Sequence, residues 1–241
     1  MSVSSLSTSS WPGLTRPSTP DRPCADGRVT PSHDGVTGAG ADGSREGGAA
    51  WQSMQGPVVT LTFDDGPFPA LTLQVLPILA KHKIKAAFFF LGKRIARDGG
   101  AEIMQRVFDA GHQIGNHTFS HPDLTRLTGA AIRQELETTQ ALIGDYASPR
   151  KYFRPPFRAI NEHVEAVVAR LGYTMTLWNV DTRDWETRSP AWTDAGLGQI
   201  RAKGRSIVLN HDKHATTVDN LDRFIVAIYE RFPDVQFAPL A

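Results

Sequence analysis

A parallel α/β fold, arranged as a short or incomplete β/α barrel, is predicted by three observations. From Gly56 onward, short apolar runs alternate with longer amphipathic segments, the pattern of strands joined by helical crossovers. Seven such runs fit into a segment of this length, which favours one barrel over two small domains. Ionisable residues gather just after the runs, and the C-terminal strand ends of β/α barrels carry the active site.

The elements follow in order. The first strand is expected over 58–63, Val58-Val59-Thr60-Leu61-Thr62-Phe63. An amphipathic helix over 71–82 comes next, and Pro77 inside it predicts a kink or an early stop. A strand over 84–90 leads to a helix over 101–110, after which Gly111 supplies the left-handed residue that ends helices. A strand over 112–116 and a helix over 129–143 precede the strand over 151–154. Asn161 caps a helix over 162–171, and Gly172 closes it. The strand over 173–178, helix over 190–203, strand over 206–210, helix over 218–232 and strand over 235–238 complete the pattern.

Composition bounds the function. Of 241 residues, 40% are apolar and 21% charged, ordinary values for a soluble globular protein. The formal net charge of +1 comes without a long basic cluster, so nucleic acid is not an expected partner. No apolar stretch approaches the ~20 residues of a membrane span. Cys24 is the single cysteine, which excludes an internal disulfide framework and a multi-cysteine zinc site. Residues 1–55 differ from the rest, being rich in Ser, Thr, Gly, Pro and Asp and without periodicity. They are read as a disordered tail, most flexible over 38–48, with the folded domain filling 56–241. The start lacks a basic stretch followed by an apolar core, so no secretory signal is read there.

Asp64 and Asp65 end the first run and lead into Gly66-Pro67. Neighbouring side chains on a strand point to opposite faces, so both acids reach one cavity only if the chain turns at the second. Gly66, free to take unusual angles, and Pro67, with its fixed φ, supply that turn. One acid can then hold a metal while the other handles protons. His117 and His121, four apart, would share a face on a helical turn and grip one ion. With one carboxylate they make a two-His, one-acid set that leaves positions open, suited to Zn²⁺ or another divalent first-row metal. Leu209 and His211, two apart on a strand, point inward together, and such a His can act as a general acid. Arg154 precedes two prolines that lock the backbone, so the next free amide, that of Phe157, can donate to an oxyanion. Arg154 itself could orient a carboxylate through a forked pair of hydrogen bonds. His112 is read as a structural residue early in its strand, and His214 as an exposed loop residue.

Taken in order, Thr62-Phe63-Asp64-Asp65-Gly66-Pro67, His117-Thr118-Phe119-Ser120-His121, Arg154-Pro155-Pro156-Phe157, Asp181-Thr182-Arg183-Asp184-Trp185 and Leu209-Asn210-His211 form a set. It resembles the five motifs of the polysaccharide deacetylases, the NodB-homology domains of carbohydrate esterase family 4. The resemblance covers roughly 56–241 and implies an α/β fold built as a distorted (β/α)7 barrel. It also implies metal-dependent removal of the N-acetyl group from GlcNAc-type units of a polysaccharide or oligosaccharide. The expected partner is thus an N-acetylated glycan, and acetate is released.

Residue by residue, Asp64 looks like the general base, Asp65, His117 and His121 like the metal ligands, and His211 like the general acid. Arg154 would orient Asp64, and Asp184 would pair with His211. Trp185 and Leu209 would wall the acetyl pocket, and the Phe157 amide would hold the oxyanion. Zn²⁺ is the expected ion, with Co²⁺, Mn²⁺ or Ni²⁺ as alternatives. Asp181 belongs to the fourth motif without an assigned role. Many relatives end the third motif in Tyr-Gly, where this chain has Phe157-Arg158: a hydroxyl is lost and a cation stands at the sugar-binding rim. Family members often act in the cell envelope or outside the cell. Two rival readings keep the same residues. In one, the site works on an O-acetyl ester of xylan or a small amide; in the other, the domain binds carbohydrate without turning it over.

Overall fold

The computed structural model describes residues 56–241, and the tail expected over 1–55 lies outside them. Among the described residues, the strands are β1 (Val58–Asp64), β2 (Ala87–Phe90), β3 (Gln113–Asn116), β4 (Tyr152–Phe153), β5 (Thr174–Met175), β6 (Val180–Asp181), β7 (Arg205–His211) and β8 (Gln236–Phe237). The helices are α1 (Leu71–Lys81), α2 (Gly92–Ile95), α3 (Gly100–Asp109), α4 (Gly129–Ile143), α5 (Glu162–Arg170), α6 (Asp184–Thr187), α7 (Trp192–Gln199) and α8 (Ala215–Arg231). None of them is long and apolar enough to cross a membrane.

All strand pairs are parallel, in the order β5-β4-β3-β2-β1-β7-β6, with β8 beside β1. β5 and β6 stand at opposite ends of that order, yet only residues 176–179 join them. So short a bridge reaches at most ~17 Å, whereas a flat sheet of this strand order would span about 29 Å. The sheet must therefore curl until its ends approach. The result is the expected distorted barrel, with a seam between β5 and β6.

β1 is its hub. Val58 and Val59 pair with both β7 and β8, while residues 62–64 pair with β2 and β7. Alternation along the strand divides its side chains between two environments. Val59, Leu61 and Phe63 enter an apolar cluster with Val75 and Leu79 of α1 and with Phe224 and Ile228 of α8. Each large side chain buried there contributes about 1.5–3 kcal/mol, which fixes the helices on the outside. Thr60, Thr62 and Asp64 take the other face and are buried too. Cations meet them there: Arg205 Nη1 donates to Thr60 Oγ1 at 2.7 Å, and Arg154 Nη1 donates to Thr62 Oγ1 and Asp64 Oδ1 at 2.7 and 2.8 Å. Below the strand ends these polar groups share the barrel interior with an apolar cluster of Ala87, Phe89, Tyr152 and Leu240.

Several boundaries differ from expectation. α1 runs through Pro77 to Lys81 instead of stopping, because Val75 and Leu79 bury on either side and packing outweighs one lost hydrogen bond. β6 is an unexpected strand, two residues long and too short to show a period. Residues 176–178, expected as strand, form the seam bridge instead. Helix α7 ends at Gln199 and α8 begins at Ala215, short of and ahead of the expected limits. His214 is not an exposed loop residue: it is the half-buried N-cap of α8, with Nε2 shut off from solvent. Asn161 does cap α5, accepting from the Val164 amide at 2.9 Å. Gly111 and Gly172 take φ of 79° and 74°, the left-handed values their positions require.

His112 is structural, as expected. Its Nδ1 accepts from the Ala86 amide at 3.1 Å, its ring lies against Phe88, and burial pushes its pKa down to about 4. The folded state thus holds the ring neutral where the unfolded chain, with a pKa near 6.5, takes up a proton. Stability should be complete above pH ~6.5 and fall by about 2–3 kcal/mol as the pH drops towards 4. Urea titrations of wild type and His112→Asn across that range check this. Asn keeps an acceptor for Ala86, so its curve should lack this part of the acid slope.

Candidate metal centre and active site

The two acids reach one side through a backbone device. β1 ends at Asp64, and Asp65 takes φ 75°, a left-handed conformation that Asp tolerates better than most residues. The turn begins at the second acid, as expected, but the positive φ falls on Asp65 itself and not on Gly66, whose freedom was expected to supply it. Gly66 serves close approach instead: a Cβ there would stand 2.8 Å from the Phe90 ring and 2.9 Å from Asp212 Oδ2.

His117 and His121 follow β3, but the helical turn expected between them is absent. The segment is an irregular loop in which Thr118 and His121 take φ of 70° and 68°. Outside groups hold that shape. Glu135 of α4 accepts from the Phe119 and Ser120 amides at 2.8 Å and from Ser120 Oγ at 2.6 Å. Asn116 Oδ1 accepts from the Thr118 amide at 2.9 Å. The Gly92 and Lys93 amides donate to the Thr118 and Phe119 carbonyls at 3.0 Å.

So held, one ligand atom each from Asp65, His117 and His121 lies within 4.8 Å of the others. The donor set fits a divalent ion on three counts. His117 Nδ1 donates to the Arg154 carbonyl at 2.7 Å, which fixes the tautomer and leaves Nε2 as a lone-pair donor. Both Nε2 atoms converge on Asp65 Oδ1, at 3.5 Å for His117 and 3.2 Å for His121. Among the described residues that oxygen is buried without a hydrogen-bond donor of its own. Burial alone would raise the Asp65 pKa, but the His117 and His121 rings, when they carry a proton towards it, hold the carboxyl well below the usual range.

Asp64 stands beside this cluster, its Oδ2 3.8 Å from His117 Nε2. Its partner Arg154 is fully buried. The expected forked pair does not form: a single nitrogen, Nη1, serves both Asp64 and Thr62, Nε donates to the Thr176 carbonyl at 3.0 Å, and Nη2 has no partner among the described residues. The guanidinium stacks 4.1 Å from the centre of the Phe89 ring. His211, at the end of β7, gives Nδ1 to Asp184 Oδ1 at 2.8 Å, and its amide donates to Asp184 Oδ2 at 2.7 Å. Thr217 donates to the same Oδ2 at 2.7 Å. Burial lowers the pKa of His211, but the buried Asp184 carboxylate more than offsets this and the net shift is upward. Burial opposes ionisation of Asp184 as well, and the His211 ring carries its pKa downward. Nδ1 is thereby engaged, and among the described residues Nε2 has no hydrogen-bond partner.

These groups open into one cavity of about 370 Å³. Leu209, Trp185, Pro155 and Phe157 form apolar walls, and Asp181, Trp178 and Lys213 join them. Asp181 also accepts from the Arg183 amide at 3.0 Å, bracing the turn into α6. Phe157 has φ 57°, is 69% exposed, and its amide donates to no group among the described residues. Arg158, also at positive φ, places its cation 5.7 Å from the Trp178 ring centre. Sequence reasoning passed over Trp178 and Lys213. Trp178 lay inside an expected strand, while Lys213, two residues past His211, had its position as the only signal.

These features define a β/α-barrel protein whose strand ends form a centre compatible with a divalent metal. Residues 52–176 match the family described as polysaccharide deacetylase, and the chain belongs to that family. It is 35% identical over 168 residues to the peptidoglycan-N-acetylglucosamine deacetylase PgdA of Listeria monocytogenes, covering 68% of this chain and 34% of that protein. It thus spans about a third of the length of that relative. It is 35% identical over 193 residues to the chitooligosaccharide deacetylase of Sinorhizobium fredii, covering 73% of this chain and 87% of that one. Among solved structures, the peptidoglycan deacetylase PdaC from Bacillus subtilis is similar with a TM-score of 0.67 and 33% identity, covering 76% of this chain and 87% of the other.

Proposed function

We propose that the chain is a metal-dependent hydrolase that removes the N-acetyl group from GlcNAc-type units of a glycan. One observation carries the reading: the Asp65, His117 and His121 donors share a cavity with an acid fixed by Arg154 and a histidine fixed by Asp184. The relatives' names, peptidoglycan and chitooligosaccharide deacetylase, support the substrate class. Held by Asp65, His117 and His121, a divalent ion would supply Lewis acidity, polarising the amide carbonyl and easing deprotonation of water. Zn²⁺ is favoured, because two imidazoles and one carboxylate suit it with positions left open.

The chain's own groups do the rest. Asp64, oriented by Arg154, takes the proton from water as its oxygen adds to the carbonyl carbon. The free Phe157 amide donates to the developing oxyanion. His211, with Nδ1 held by Asp184, gives its Nε2 proton to the amide nitrogen as the C–N bond breaks, so acetate and a free amine leave. Leu209 and Trp185 enclose the methyl group.

Acetate release from chitooligosaccharides, peptidoglycan and acetylated xylan, measured before and after chelation and again after adding Zn²⁺ or Co²⁺, tests this. Release from the N-acetylated substrates should disappear on chelation and return with the ion. No metal-dependent release from any of the three would reject the reading.

A further inference from the structure

Asp65 offers its two oxygens to different partners. Oδ1 faces the His117 and His121 rings, whereas Oδ2 accepts a 2.5 Å hydrogen bond from Lys213 Nζ. Lys213 lies just past β7, lines the same cavity, and is no part of the five sequence motifs. We infer that Lys213 is a positioning residue that restricts Asp65 to one oxygen towards a metal ion and weakens the hold of the site on that ion. The inference rests on Asp65, His117 and His121 being the metal ligands.

The argument has a geometric part and an electrostatic part. For both oxygens to face one ion, the carboxylate would have to rotate and give up the ammonium. The bond to Lys213 opposes that rotation. An ammonium and a divalent cation that share one carboxylate also repel each other over a few ångströms, beside apolar walls that screen them weakly. Groups behind metal ligands change affinity by about 10–100-fold. A neutral donor in that position strengthens binding by orienting the ligand. A charged one adds repulsion, and for a doubly charged ion the repulsion is the larger effect. Sharing its charge with Lys213, Asp65 also donates less to the ion, which keeps more of its pull on a carbonyl oxygen.

Titration of the metal-free protein with Zn²⁺ against a chromophoric chelator, and with Co²⁺ followed by visible absorption, tests this in wild type, Lys213→Met and Lys213→Arg. Lys213→Met should bind both ions about tenfold more tightly or better, and its cobalt bands should weaken as a second carboxylate oxygen joins. Lys213→Arg should stay near wild type. Equal or weaker binding by Lys213→Met, or an unchanged cobalt spectrum, overturns the inference. Lys213→Leu, which likewise offers no donor to Asp65, takes its place if thermal melting shows that the Met variant does not fold. A wild-type protein that bound neither ion would overturn the metal-centre reading together with this one. Failure confined to the variants would leave that reading standing.

Discussion

Asp64→Asn is expected to lower acetate release by about 10³-fold or more while the protein still holds one equivalent of metal. The two acids are neighbours in sequence, but the proposed mechanism gives them different roles. Asp65 carries the oxygen on which both imidazoles converge. Asp64 gives one oxygen to Arg154 and leaves the other 3.8 Å from His117 Nε2, beside the cluster and not central to it. Asn has the same shape, and its carbonyl oxygen can still accept from Arg154, so the cavity should persist. Only the capacity to take a proton is lost. Elemental analysis of purified protein beside an acetate assay separates the roles. Asp65→Asn should give the opposite signature, with metal lost as well as activity. If Asp64→Asn lost its metal in parallel, the two roles would have been assigned the wrong way round.

The largest effect on stability is expected from Arg154→Met, at about 3–5 kcal/mol. Among the described residues, Arg154 is the only positive group bonded to Asp64, which is itself 3% exposed. Removing it leaves a buried carboxylate without compensation, together with Thr62 and the Thr176 carbonyl that had accepted from it. Urea denaturation with a chelator present measures the full loss. Adding Asp64→Asn to Arg154→Met should recover more than half of it, because the uncompensated charge is then gone. A double variant as unstable as the single one would mean that lost packing against Phe89, not charge, sets the cost.

Much of this architecture was legible before any coordinates. The apolar runs of β1, β2 and β7 and the amphipathic stretches of α4 and α5 are long enough for periodicity to reveal them, and the caps of α5 follow local rules. The residues gathered in the cavity, Trp178 and Lys213 apart, could be named because they sit at strand ends, and a parallel barrel brings strand ends together. What stayed hidden was made by contacts distant in sequence. The spacing of His117 and His121 suggested a helical turn, yet Glu135, on another helix, stabilises a loop with left-handed residues. Neither the φ of Asp65 nor the single-nitrogen grip of Arg154 on Asp64 leaves a local trace. Strands as short as β6 carry no period at all.

The guanidinium inside the barrel has a consequence for how such a chain can drift. Arg154 is tolerable in that interior because Asp64 faces it, and Asp64 is tolerable because Arg154 does. Position 154 cannot change first without the lineage passing through a poorly folded intermediate, because a buried carboxylate would be left uncompensated. Position 64 can, provided its new residue still accepts from the guanidinium as Asn would. In a descendant under no demand to hydrolyse anything, position 154 should therefore vary only where position 64 no longer carries a charge.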